Sequence, residues 1–491
     1  MKKAFGVDFG TTNTSIVQYD LDNGLTQITS KPNQPYPSVV CYQGNEILVG
    51  HDAKKSINEM AGNPGRTIIK SIKTKLGKNE DIFIMGEPKK IYDVAAEIIS
   101  YIIKENEMEG QIKEAVLTIP VGFDGEQRRD LRKTAEKSGI SVNAFIHEPF
   151  AAVIGWLKKD AKNKEINGYI LVFDWGGGTL DITVTKKEGI EIFEYGTAEM
   201  SGIAGDKFDE LLKNYCIDKV LRQSENPIIF EKAMKEPSNR DLINYYIELC
   251  KIDLSAHEES KLNFTLRSDG NNLFDFKLTV KRKEFEDLIA EYIERAIEKI
   301  KNALQQANID ETQIEKILLV GGTSLIPILI KRISDEFVGY KIVSLQDANE
   351  LIAEGAAIAA YFGVKPVFSK KIMMELSDGT YYIFYEKGQE IRTSVEQKVN
   401  VCCVDFRNSA HIVIAEGNNN VSADREIGFI ELERGENLKM NNISNNDQIE
   451  VLVSTNEDYI LNVKAKSVFS GNEVTEKIHI IGMGVNINEL S

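Results

Sequence analysis

Two stretches of this 491-residue chain share one chemical pattern. The first is Asp8-Phe9-Gly10-Thr11-Thr12-Asn13-Thr14-Ser15-Ile16, and the second is Asp174-Trp175-Gly176-Gly177-Gly178-Thr179-Leu180-Asp181-Ile182. In each, an apolar strand ends at an aspartate, a glycine turn follows, and threonine leads into another apolar strand. Glycine admits positive φ and lets the backbone approach an anion, so successive N–H groups can point at it. Threonine hydroxyls add donors. An aspartate at the strand end would repel phosphate unless a cation stood between them, most simply Mg²⁺ with its water shell. Two such turns facing each other would grip a triphosphate from both sides.

A single glycine turn between strands is as readily hairpin punctuation, but two copies at the heads of apolar strands favour phosphate binding. Neither is a Walker loop, because no G-x-x-x-x-G-K-[ST] occurs. A third turn, at Gly321-Gly322, follows the apolar run Ile317 to Val320. It leads into a helix start with Thr323 or Ser324 as cap and Pro327 in the first turn. Such an N-terminus suits an anion or a ribose, although βα turns often look like this for packing reasons.

These turns need strands and helices to hold them. From Lys3 to about Phe362, short β-type runs such as Ala115 to Ile119 and Tyr169 to Phe173 alternate with helical periodicities, which predicts α/β layers. Apolar residues from Phe285 to Leu304 recur at helical spacing and predict one long amphipathic helix over Lys283 to Ala307. Beyond Phe362, alternating strand-like runs separated by Gly and Asn turns predict an all-β region. The expected division is an ATPase-sized unit over 1–363, a linker over 364–371 and a β unit over 372–491, with no helical segment after it.

Composition narrows the class. Hydrophobic residues make up 42% and charged residues 27%, an ordinary globular balance. The net charge of −16 argues against nucleic acid or an anionic membrane surface as partner, since both reward a basic face. Five cysteines without C-x-x-C spacing fit a reduced compartment, and no apolar run approaches a membrane span. A cytoplasmic location is expected.

The two turns, the Gly321-Gly322 turn and His147-Glu148-Pro149-Phe150-Ala151-Ala152 resemble the sugar-kinase, actin and heat-shock ATPase superfamily. Within it, the chain is similar to the seventy-kilodalton heat-shock chaperones of the DnaK type. The likeness continues through Thr118 to Phe123, Gln127-Arg128 and Gly205-Asp206-Lys207-Phe208-Asp209. It extends into Ala415 to Asn418, Asp424 to Leu432 and Gln448 to Val463 of the β region, and so covers almost the whole chain.

That resemblance implies a two-lobed actin-like (ribonuclease H-like) ATPase domain followed by a β-sandwich that binds unfolded or extended polypeptide. It implies ATP or ADP with Mg²⁺ as cofactors, admits K⁺, and brings a J-domain co-chaperone and a nucleotide exchange factor as partners. Carried over by position, Gly10, Thr11, Thr12, Asn13, Gly176, Gly177, Gly178 and Thr179 contact phosphates. Asp8, Asp174 and Asp181 belong to the metal site, and Glu148 orders its waters. The catalytic lysine falls on Lys73, with Lys70 as substitute; without the resemblance, Lys70, Lys73 and Lys75 would read as a solvated face. Glu248, Lys251 and Ser255 fall on the adenosine side, and Gly205, Asp206, Gly321, Gly322, Thr323 and Asn349 are further cofactor-binding positions. With no strong general base evident, hydrolysis is expected to be slow.

The chain departs from the family pattern in three places. Two arginines that would sandwich adenine are Ile252 and Leu325 here, which keeps apolar contact and loses the cationic part. The linker, Tyr361 to Phe368, has only scattered apolar residues around Lys365 and Pro366, although the switch positions Pro120 and Arg128 are retained. Without a helical lid, release of polypeptide should be fast. Alignment puts the peptide slot at Met374, Ser377, Ala410 and Ile412; Met374 and Ile412 are at least as well read as sandwich core. Two rival functions stay open. One is a nucleotide-gated binding module or scaffold with little turnover, and the other is a small-molecule kinase.

Overall fold

A computed structural model describes residues 2–490 except 30–33, 60–65, 269–272, 338–340, 345–349, 394, 403–408 and 434–447. Among the described residues the fold is mixed α/β, with ten α-helices and seven sheets. Two sheets dominate the first three quarters of the chain. One orders its strands as Ser141–His147, Glu114–Ile119, Ala4–Phe9, Asn13–Asp20 and Gly24–Gln27, with Tyr36–Pro37 also paired to Asn13–Asp20. The other runs Lys341–Ser344, Ile314–Val320, Tyr169–Trp175, Thr179–Glu188, Glu191–Ser201, Met483–Asn486 and Lys365–Phe368.

Both follow one plan. A strand carrying the aspartate pairs antiparallel with the strand after its glycine turn, and parallel on its other side with a later strand. Asp8 stands opposite Ser15, and Asp174 opposite Asp181. Strands covered on both faces must be apolar throughout, which is why Ile170-Leu171-Val172-Phe173 reads as a continuous hydrophobic run.

Helices Glu148–Lys159 and Leu351–Phe362 share one core with Val116 and Ile146 of the first sheet and Val172 and Leu318 of the second. Small residues let them close up. A Cβ on Gly355 would stand 1.8 Å from the Ala151 carbonyl oxygen, and one on Gly6 would stand 2.2 Å from the Ala357 nitrogen. Alanine at either place would push helix from helix or from strand, at a cost of about 1–3 kcal/mol. This junction fixes one glycine turn against the other.

The long amphipathic helix spans Arg282–Gln306 and buries Phe285, Ile289, Ile293, Ile297 and Ile300. It shares a core with the hairpin Glu259–Arg267 and Leu273–Lys281, whose inward side chains alternate strictly in the first strand.

The C-terminal region holds two four-stranded sheets. Tyr381–Tyr385, Lys371–Glu375, Ser409–Gly417 and Arg425–Glu433 form one; Glu396–Cys402, Gln448–Thr455, Leu461–Ser467 and Glu473–Ile478 form the other. Arg425–Glu433 packs against the last two strands of the second sheet. The chain between the two regions departs from the expected linker, because Lys365–Phe368 is a strand. Its partner is Met483–Asn486, which also pairs with Glu191–Ser201. The last strand of the expected 372–491 unit therefore belongs to the seven-stranded sheet. Four residues, two of them Gly484 and Asn486, carry too little β pattern to reveal this in advance.

Arg128 joins the C-terminal sheets to the first sheet. It is buried, and it donates to the carbonyls of Phe123 at 2.7 Å, Asp458 at 2.6 Å and His479 at 2.6 Å. Burial pulls its guanidinium down to about 10. One helical turn on, Arg132 Nε pairs with Asp458 Oδ1 at 2.8 Å, and the Tyr459 hydroxyl accepts from the Phe145 N–H at 3.1 Å.

Candidate functional site

The two turns have equivalent closures. Gly10 N–H donates to the Asn13 carbonyl at 2.9 Å, and Gly176 N–H donates to the Thr179 carbonyl at 3.0 Å. A hydroxyl reaches each glycine carbonyl from elsewhere, Ser38 to Gly10 at 2.8 Å and Thr323 to Gly176 at 2.8 Å. The turns also meet. A Cβ on Gly177 would lie 2.0 Å from Thr12 Oγ1, and one on Gly178 would lie 3.3 Å from Thr11 Cγ2. Gly205 packs beside Gly177, Thr323 and the Lys251 ammonium. Gly321, at φ +81°, lies so close to Asp174 that a Cβ would stand 2.6 Å from Oδ1. Only glycine combines that φ with that approach.

Around the turns sits an excess of negative charge. Lys73, on a 3₁₀ turn, places its ammonium 2.6 Å from Glu148 Oε1, the first residue of helix Glu148–Lys159. Asp8 accepts from the Thr118 hydroxyl at 2.8 Å, and Asp181 from the Thr179 hydroxyl at 2.8 Å. Desolvation raises Asp8 to about 6, with the Glu148 charge adding to it and Lys73 opposing. Asp181 also rises to about 6, through desolvation and then Glu148. Asp174 is raised by desolvation, Glu148, Asp181 and Asp8. Burial alone would lower Lys73, but Glu148 and Asp8 more than offset it and its pKa is raised. Four carboxylates share one lysine, a donor set that calls for a divalent cation. Among the described residues no three acidic, His or Cys side chains converge tightly enough to hold a bare ion. The fit is therefore to a cation that keeps much of its water shell. A polar cavity of about 510 Å³, lined in part by Asp181, Gly122, Glu199 and Lys299, opens beside the carboxylates.

The expected adenosine-side residues Glu248, Lys251 and Ser255 lie on one helix, with other expected cofactor-binding residues on its neighbours. Lys251, on Pro237–Ala256, bonds the Gly205 carbonyl at 3.0 Å and pairs with Asp209 at 2.9 Å. Glu248 pairs with Lys54 at 2.6 Å, across to helix Gly50–Glu59. Asp206 opens helix Gly205–Gln223, its N–H bonded to the Gly177 carbonyl at 2.8 Å. Ser255 lies one turn beyond Lys251. Ile252 is exposed and Leu325 half-buried. Gly322 begins the short turn after Gly321. Asn349 lies outside the described residues. Sequence reasoning missed Ser38 and Lys54, which carry no motif of their own and act only through partners distant in sequence, and it gave Thr118 and Asp209 no role although both stand in family-like motifs.

A family model described as Hsp70 protein matches residues 4–91 and 81–489. The chain belongs to the Hsp70 family. Hsp70 proteins are chaperone ATPases that bind nucleotide with Mg²⁺ and, in general, unfolded polypeptide. Among the described residues of this Hsp70 no helix is long and apolar enough to cross a membrane.

Three of the four expected peptide-slot positions lie in the core. Met374, Ala410 and Ile412 are buried in the hydrophobic core, and Ser377 lies exposed in the turn after Lys371–Glu375. Met374 pairs with Ile414, and Ile412 with Ile430, and these side chains lie in the apolar core. Ala410 and Ile412 alternate inward along Ser409–Gly417, whereas Met374 ends a run of three buried residues.

Proposed function

We propose that this Hsp70-family chain is a slow, Mg²⁺-dependent ATPase, built as two actin-like lobes, whose nucleotide state controls binding of extended polypeptide by the paired C-terminal sheets. One observation carries the reading: the turns at Gly10 and Gly176 interlock at Thr12 and Gly177 beside Lys73 and four carboxylates. The turn N–H groups and the hydroxyls of Thr11, Thr12 and Thr179 bind the phosphate chain. Lys73 would steady the γ-phosphate and the attacking water. Asp8 and Asp174, with Glu148, would hold Mg²⁺ through its water shell, and the ion supplies charge neutralisation of the phosphate oxygens.

Alignment and fixed charge drive phosphoryl transfer to water here. Glu148 holds the Lys73 ammonium protonated, so Lys73 is no free base, and turnover is slow. Glu248, Lys251 and Ser255 face the nucleoside, where the aliphatic Ile252 and Leu325 relax selectivity for adenine.

The test is phosphate release by the purified chain, with and without an unfolded apolar peptide. Mg²⁺-dependent release that peptide stimulates, and that Lys73→Ala abolishes, is the expected outcome. Release equal in Lys73→Ala would leave a nucleotide-gated scaffold instead.

A further inference from the structure

Lys73 sits on a turn that its neighbours hold at both ends. Ser71, two residues before it, takes φ +53°, a left-handed conformation that a residue with a Cβ keeps only where its surroundings impose it. The turn Ile72–Lys75 then closes through Leu76 N–H to the Lys73 carbonyl at 3.2 Å, and Ile72 and Leu76 are buried in the core. Gly77 leaves the turn at φ +79° against helix Gly125–Lys137, where a Cβ would stand 2.8 Å from Gln127 Cγ. One helical turn beyond Gln127, Asp130 Oδ2 accepts from the Gly77 N–H at 2.9 Å.

Asp130 is a buried carboxylate, and such a group is costly unless something compensates its charge. Its other side-chain partner among the described residues is the Lys133 ammonium at 3.5 Å. The Lys133 side chain is 38% exposed, so solvent screens much of that pairing. The Gly77 N–H supplies a charge-assisted bond, stronger than one to a neutral acceptor. Ahead of the same helix, the Phe123 ring lies with its centre 5.5 Å from Lys73 Nζ, while Glu148 holds the ammonium on another side. From Ser71 to Lys78 the chain is a run of short-range bonds, Thr74 N–H to Ser71, Leu76 N–H to Lys73 and Lys78 N–H to Lys75. A displaced Gly77 therefore drags the turn with it, because little slack chain stands between them.

We propose that Asp130 is a positioning residue for phosphoryl transfer, which sets the turn that aims Lys73 by holding Gly77. This role presupposes that Lys73 steadies the γ-phosphate. Misplacing a reacting group by about 1 Å costs up to about 10²-fold in rate. ADP lacks the γ-phosphate, so its binding does not sense the shift.

The test uses the full chain. Asp130→Ala should slow single-turnover phosphate release about 10- to 100-fold and leave the Kd for Mg²⁺-ADP within about two-fold. Asp130→Asn, whose amide oxygen still accepts from Gly77, should recover most of the rate. In a Lys73→Ala background, Asp130→Ala should cost nothing further, because both changes act through one ammonium. Acetylation of Lys73 by an N-hydroxysuccinimide ester, read by peptide mass, should run about ten-fold faster in Asp130→Ala, since the loosened turn opens more often. If Asp130→Ala does not fold, Asp130→Leu fills the space without an acceptor and takes its place. An unchanged rate, ADP affinity that falls as far as the rate, or a further loss in the Lys73→Ala background would overturn the proposal. Equal release from Lys73→Ala and the unaltered chain would sink the ATPase reading instead; faster acetylation then still supports the link from Asp130 to Lys73, and unchanged acetylation overturns it.

Discussion

Lys73 Nζ lies 2.6 Å from Glu148 Oε1, with the two side chains only 6% and 10% exposed. Both charges have left water, so the pair is worth less to stability than its length suggests, and breaking it costs more than replacing it. Lys73→Met should destabilise the chain by about 3–5 kcal/mol, because Glu148 then stays buried without a counter-charge. Adding Glu148→Gln should restore most of that loss. Turnover should behave otherwise, falling about 10²–10³-fold in the single variant and staying low in the double. Denaturant melts and single-turnover phosphate release read the two effects separately. Recovery of turnover along with stability would remove Lys73 from the chemistry.

Gly177 and Gly178 offer a graded test of the interlocked turns. A methyl at 177 meets Thr12 Oγ1 at 2.0 Å, whereas one at 178 meets Thr11 Cγ2 at 3.3 Å, a contact that a slight shift relieves. Gly177→Ala should weaken Mg²⁺-nucleotide binding by about ten-fold or more, and Gly178→Ala by clearly less. Neither should lower stability by more than about 1–2 kcal/mol, since both turns lie at the cleft surface and not in a core. Calorimetric titration with ADP checks the order, and equal affinities would mean that the turns do not close on the ligand.

The glycine turns were legible in the sequence because the conformation they need is written in residue type. Glycine, aspartate and threonine at fixed offsets have few other uses. The long helix was legible through its period, and the observed Arg282–Gln306 differs from Lys283 to Ala307 by one residue at each end. What could not be read depends on partners far apart in the chain. Thr118 meets Asp8 and Ser38 meets Gly10 only after the first sheet has formed. Met374, Ala410 and Ile412 satisfy a slot and a core equally well as residue types, and the pairing of their strands decided for the core. Met483–Asn486 is too short to show a period, and only its neighbours Glu191–Ser201 and Lys365–Phe368 reveal it.

Asp8 and Asp181 should make the nucleotide-free chain less stable as pH rises. Both are held near 6 against an ordinary 3.8, so the folded state binds their protons more tightly than the unfolded chain does. Their contribution is complete below the ordinary value and is lost as pH climbs through about 6, on the order of 3 kcal/mol per group. Mg²⁺-nucleotide favours the ionised carboxylates, so the stabilisation it brings should grow across the same interval. Melting temperatures from about pH 4.5 to about pH 8, with and without Mg²⁺-ADP, measure both slopes. Asp181→Asn should flatten the decline in the free chain. A free chain whose stability rises from pH 5 to pH 7 relative to that variant would contradict the raised Asp181.

Two of the contacts that hold the C-terminal sheets to the rest of the chain lie apart from each other, which predicts that cutting one will not free them. The first is Arg128 with Arg132 and Asp458; the second is strand Met483–Asn486 beside Glu191–Ser201. Arg128→Met strands the carbonyls of Phe123, Asp458 and His479 and should cost about 2–4 kcal/mol, yet unfolding should remain a single transition. Gly484→Val drives a side chain into Phe193, whose Cδ1 would lie 2.5 Å from the new Cβ, and should loosen the strand alone. Only the double variant should unfold in two steps, and the ion pair itself should show a coupling of about 1–3 kcal/mol in an Arg132/Asp458 cycle. If Arg128→Met alone splits the transition, the strand contributes nothing to holding the sheets in place; if the double variant still melts as one, the Lys387–Glu188 pair and the shared apolar core suffice to join them.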